Sequence, residues 1–153
     1  MNARNLRLFL AVLLWIAVSD VRAQVVVDEP WVRGVVPGQT STGAFMTIRS
    51  TDAAELIAVS SPAAATAHIH RMAMGGGMMT MEPVSSVMVP ANGMVEFKPG
   101  SYHVMLVGLT KPLAIGDHVP LQLTFRDASH NETSITVQAT VRDVTGAKPG
   151  ATN

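Results

Sequence analysis

The sequence of 153 residues contains no cysteine, and that absence excludes a good deal. No disulfide can staple the fold, which has to rest on its apolar core. A blue-copper electron-transfer centre is ruled out because it requires a cysteine thiolate. Charge is also scarce: 14% of residues are Asp, Glu, Lys or Arg, and they balance to a formal net charge of zero. A chain with no basic surplus and no RNA- or DNA-reading motif is not built for nucleic acid. Sustained 3.6-residue periodicity is missing after the first two dozen residues, which argues against a helical fold. The longest apolar run, Leu8 to Val18, is too short for a permanent membrane span, which needs about 20 residues. What remains is 48% hydrophobic residues in a length suited to one domain with a real core.

The amino terminus reads as an address. Arg4 and Arg7 precede the apolar run, and Val21-Arg22-Ala23 places small residues where a signal peptidase inspects the chain before Gln24. Residues 1–23 are therefore expected to be a signal peptide cleaved after Ala23, delivering the chain to the periplasm. With no cysteine behind the run, a lipid-anchored lipoprotein is not expected. Removing this leader leaves a slightly acidic chain with no strong attraction to anionic membranes and no stable insertion.

From residue 24 onward, short segments alternate with Gly and Pro punctuation. Val25–Val27 and Trp31–Arg33 read as extended, and GAFMTIR from Gly43 and ELIAVS from Glu55 follow. Val119–Arg126 and Ser134–Arg142 alternate apolar and polar residues, as half-buried antiparallel strands do. Asn92-Gly93 predicts a hairpin joining the Val84–Val89 segment to Met94–Lys98. Eight to ten such strands argue for an all-β sandwich or Greek-key barrel, a single domain over residues 24–144. The last residues, 145–153, have the composition of a flexible tail.

The chemistry is concentrated between His68 and Met105, which holds three of five histidines and eight of ten methionines. Imidazole and thioether donors at this density suit a soft metal, Cu(I) first among them, and both remain available in an oxidising compartment. On a strand running from Thr66 to Met72, His68, His70 and Met72 share one face while Ile69 points to the core. His103 and Met105 likewise share a face of the strand beginning at Tyr102, a two-donor clip. Gly75-Gly76-Gly77 is a turn between Met74 and Met78. Met46, Met88 and Met94 read as packing residues, and His118 and His130 as solvent-facing. Met72, Met74, Met78 and Met79 read as a soft rim, and His68 as a surface residue.

Counting along the cluster gives His70, ten residues, Met81, twenty-one residues, His103, one residue, Met105. This resembles the H-x10-M-x21-H-x-M pattern of the periplasmic copper chaperone PCu(A)C family. The WVR at Trp31, GGGMMTMEPV from Gly75 and KPGSYHVMLVGLTKPL from Lys98 resemble family segments too. The resemblance implies a cupredoxin-like β-sandwich that binds one Cu(I) ion per chain through His70, Met81, His103 and Met105. It also implies delivery of that copper towards the binuclear copper A site of cytochrome c oxidase subunit II, beside a thioredoxin-like copper-handling partner. His68 stands where many relatives carry an acidic residue, and the tail lacks the His/Met-rich extension that some relatives use for a second copper.

Other functions fare less well. No nucleophile, carboxylate pair or open catalytic metal constellation surrounds Asp117-His118 or Glu82, so an enzyme is not expected. A copper-buffering or resistance protein without dedicated delivery is the alternative that shares every one of these residues. The chain is expected to act as a monomer.

Overall fold

A computed structural model describes residues 24–143; the expected signal peptide and tail lie outside the described residues. Ten strands make up the fold: β1 Val25–Arg33, β2 Ser41–Ser50, β3 Ala54–Ser60, β4 Ala64–Gly75 and β5 Met78–Pro83, then β6 Val87–Val89, β7 Gly93–Phe97, β8 Tyr102–Leu109, β9 His118–Asp127 and β10 Glu132–Arg142. They form one hydrogen-bonded sheet in the order β5-β4-β8-β7-β2-β1-β10-β9-β3-β6, with β8 also paired directly to β2. The sheet folds over on itself as a cupredoxin-like sandwich, so β3 and β4, distant in strand order, meet across the core. The all-β, single-sandwich expectation is therefore met.

Alternation decides which side of each strand goes inside. Val119, Leu121, Leu123 and Phe125 of β9 are buried together with Ala139 and Val141 of β10 and Leu56 of β3. From the other half of the sheet come Ala44, Met46 and Ile48 of β2, Ile69 of β4, and Val104 and Leu106 of β8. The readings of Met46 as core and Ile69 as inward-pointing hold.

Two expectations fail. The Asn92-Gly93 turn does not close a hairpin: β6 pairs with β3, whereas β7 pairs with β2 and β8. The turn is tight, with Asn92 at φ 51° and the Gly93 N–H bonded to the Pro90 carbonyl at 3.1 Å. It carries the chain from one half of the sandwich to the other instead of back along the same sheet. Val87 and Val89 already face the core opposite Phe97, so burial, rather than the turn dipeptide, chooses the strand partners. Met88 and Met94 are not packing residues either. Each alternates with buried or half-buried valines and is left on the outside, more than half exposed.

The half of the sheet that matters for chemistry is β5-β4-β8-β2. The inner face of β8, β2 and the first part of β4 is core, and the outer face carries the His/Met cluster.

Candidate metal centre

Antiparallel register brings the four positions together from three strands. On β4 and β8, His68 lies opposite Met105 and His70 opposite His103, while Ile69 and Val104 form the intervening inward pair. On the other side of β4, Met72 lies opposite Met81 and His70 opposite Pro83. Directly opposed side chains on one face have Cβ atoms about 5 Å apart, and diagonal neighbours are within reach of long side chains. His70 and His103 are thus a direct pair, with Met81 diagonal to His70 across β4–β5. Met105 is one step along β8 from His103 and lies opposite Gly43 of β2.

The histidine pair has the spacing for one ion. The rings of His70 and His103 are 5.6 Å apart between centroids and inclined at 79°. A metal about 2.0 Å from an imidazole nitrogen lies about 3.1 Å from that ring's centre, so two rings can share an ion up to a separation of about 6.2 Å. His68 does not meet the condition as well. Its ring is 6.3 Å from that of His70 and nearly parallel to it, at 16°. The two are neighbours on one strand face, side by side and not head-on, and His68 is exposed.

Hydrogen bonding leaves lone pairs for a metal. Nδ1 of His70 is buried and has no hydrogen-bond partner, an unmet requirement that a coordinated ion would satisfy. Nδ1 of His103 lies 3.4 Å from the Ser101 carbonyl. Because a carbonyl only accepts, this contact selects the tautomer with the proton on Nδ1 and leaves Nε2 free as a donor to metal. The same Ser101 carbonyl accepts the Met72 N–H at 3.2 Å, so the Pro99-Gly100 turn anchors both strands at the cluster. Burial holds the His70 pKa below its ordinary value, and the nearby His103 and His68 push it the same way.

Met81, His103 and Met105, with Met72, line an open cleft of about 350 Å³. His70 sits beside the cleft, half-buried against His103. The site is graded in exposure: His103 is 7% exposed and Met81 54%. No acidic side chain lines the cleft, and Arg33 contributes positive charge to it. Among the described residues, no three His, Asp or Glu side chains converge to hold a metal, so the side-chain donors beside the histidine pair are thioethers.

The floor of the cleft was not foreseen from the sequence. Phe45 is buried on the outer face of β2 with its ring 6.4 Å from that of His103, and Trp31 packs on it at 4.5 Å. Arg33 and Arg142 cover these rings at 5.3 Å and 5.5 Å. Thr42 donates its hydroxyl to the Arg33 carbonyl at 2.7 Å, which locks β1 to β2 beneath the cluster. This stack backs the side of His103 turned away from His70.

The His/Met cluster thus lies on the outer face of an all-β cupredoxin-like domain. Comparison with known proteins agrees. A family model described as "Putative lipoprotein LpqE-like" matches residues 25–141. A relative described as "Putative lipoprotein Lxx21020", from Leifsonia xyli subsp. xyli, is 32% identical over 124 residues, covering 79% of this chain and 71% of its own length. The chain belongs to this LpqE-like, PCuAC-type family. Among solved structures, apo-DR1885 from Deinococcus radiodurans is 27% identical, with TM-score 0.56, over 77% of this chain and 79% of that one. Its form titled CuI-DR1885 is 28% identical, with TM-score 0.52, over 76% of each chain. A copper-bound PCuAC domain from PmoF2 shares the fold with TM-score 0.62 at 22% identity, over 78% of this chain and 92% of its own. The word lipoprotein belongs to the family and the relative; the sequence here contains no cysteine.

Proposed function

We propose that this chain is an exported copper chaperone that holds one Cu(I) ion through His70, Met81, His103 and Met105. The observation that carries the reading is the pairing of His70 with His103 at single-ion spacing, on the face and in the reach of two thioethers. All four donors are neutral, which suits a soft monovalent ion. A hard or divalent cation would find no carboxylate in the cleft and would meet the Arg33 charge instead. Copper in the solved relatives supports the same reading.

Delivery is favoured over buffering by the gradient in exposure. A buried His103 anchors the ion, and the exposed Met81 is the ligand an acceptor can displace first. We take the acceptor to be the copper A domain of cytochrome c oxidase subunit II, reached in the periplasm, with a thioredoxin-like protein keeping its thiols reduced. The test is to mix the Cu(I)-loaded chain anaerobically with the reduced apo copper A domain, oxidise the separated acceptor by one electron per centre with ferricyanide, and follow the visible absorption of the mixed-valence centre. Absorption appearing in proportion to the Cu(I) supplied is expected; none, with or without a thiol reductant, leaves buffering as the function.

Acid provides a second check. Neutral imidazole binds metal and imidazolium does not. With the His70 pKa lowered, its neutral form survives below the ordinary imidazole value of about 6.5. Cu(I) affinity measured by competition is therefore expected to change little as pH falls to about that value, then drop once protonation competes. Affinity that ignores pH until the protein itself unfolds would mean that the imidazoles are not ligands.

A further inference from the structure

Two thioethers beside the cluster, Met74 and Met79, are left in water by the fold. Met74 is 72% exposed and Met79 49%. In the register of the β4–β5 hairpin these two lie directly opposite one another, as Met72 and Met81 do one step nearer the histidines. Period-two geometry puts Met72, Met74, Met79 and Met81 on the same face, the face of His70 and His103. The opposite face of the hairpin is polar: Arg71 pairs with Glu82 at 3.1 Å, and the Thr80 hydroxyl donates to the Ala73 carbonyl. The hairpin is therefore amphipathic, yet its apolar face covers no core.

Ordinary packing does not account for this. These residues forgo the stabilisation that burying a Met side chain brings, and leucine or valine would serve a simple strand as well. What methionine alone supplies here is a soft, neutral sulfur on a flexible stem. Cross-strand pairing holds two such sulfurs at a separation that one ion can bridge, and the next pair lies about 7 Å along the strands. The approach is open, since nothing lies within 4 Å of where side chains at Gly75, Gly76 or Gly77 would project.

We propose that Met74 and Met79 form a second, weaker Cu(I) station at the hairpin tip, from which the ion passes by Met72 and Met81 to the His70–His103 pair, or back out. This rests on the assignment of the His/Met site as the main copper site. Each step exchanges one sulfur or nitrogen lone pair for another on an ion that stays Cu(I), so no electron or proton need move.

The test is a titration of the full chain, labelled with 13C at the methionine methyls, with Ag(I) as a redox-inert probe and then with Cu(I) under anaerobic conditions. The first equivalent is expected to shift the methyl signals of Met81 and Met105, and the second those of Met74 and Met79. Met74→Leu with Met79→Leu is expected to abolish the second step while altering affinity for the first ion less than about threefold. These positions are exposed, so the variant keeps its core. Methyls of Met74 and Met79 that stay unmoved in excess metal, or a second step that survives in the double variant, would overturn the station. If instead Met74 and Met79 respond while Met81 and Met105 do not, the station stands and the main site assignment fails.

Discussion

Replacing His103 and Met105 together by alanine is expected to weaken Cu(I) binding by about a hundredfold to ten-thousandfold. The estimate is conservative, since even a residue that only orients a metal ligand is worth about 10–100-fold, and two ligands are removed here. His103 is the least dispensable of the four. It is the buried partner of His70, its tautomer is set by the Ser101 carbonyl, and its ring is backed by the Phe45–Trp31 stack. Without it His70 has no second imidazole at single-ion distance, and the remaining thioethers sit on the exposed side of the cleft. His68→Ala is the matched control. Its ring lies side by side with that of His70, so its loss is expected to change affinity by less than about threefold. Anaerobic competition against a Cu(I) chelator measures both. Equal affinities in the wild type and the His103/Met105 variant would remove the assignment.

Leu123→Ala is expected to destabilise the apo protein by about 2–5 kcal/mol. Leu123 is fully buried in β9, between β3 and β10, in the half of the sandwich away from the His/Met cluster. A domain of this kind has about 5–15 kcal/mol in total, and no disulfide compensates for a cavity in its core. The melting temperature is expected to fall by roughly 5–15 °C. At temperatures where the variant remains folded, its Cu(I) affinity is expected to match the wild type, because no site residue touches Leu123. A loss of less than about 1 kcal/mol in denaturant would mean that this half is not packed as described.

The contrast between these two substitutions shows what local pattern could and could not reveal. β9 and β10 were legible because one face of each is wet, so alternation marks the core directly. The His103/Met105 clip and the placement of His70 opposite Ile69 were legible for the same reason. β2 was legible as a strand, but the place of Phe45 was not, because it is buried on the outer face between the inward-facing Ala44 and Met46 and so breaks the alternation. The role of Phe45 as the wall behind His103 lay hidden in that run, and Trp31 and Arg33 with it. Strand partnership was misjudged at Asn92-Gly93 for a related reason. A turn dipeptide specifies the local bend, whereas the destination of the following strand depends on which apolar faces must meet, and that is non-local information. The joining of three segments into one donor set is non-local too. Spacing of the four ligands is only an indirect trace of it, and register pairs His70 with His103 and places Met81 beside them.

Exposure makes the same donors useful for transfer. On the proposed assignment, a Cu(I) ion on His103 and His70 would be held from below, with its thioether side facing solvent and the methionine hairpin. The proposal thus divides binding and release between the buried and exposed ends of one cluster.

X-ray absorption of the chain loaded with one equivalent of Cu(I) tests the central claim most directly. The account requires a first shell of two nitrogen scatterers at about 2.0 Å and two sulfur scatterers at about 2.3 Å. A shell made only of light atoms, or only of sulfur, would contradict it.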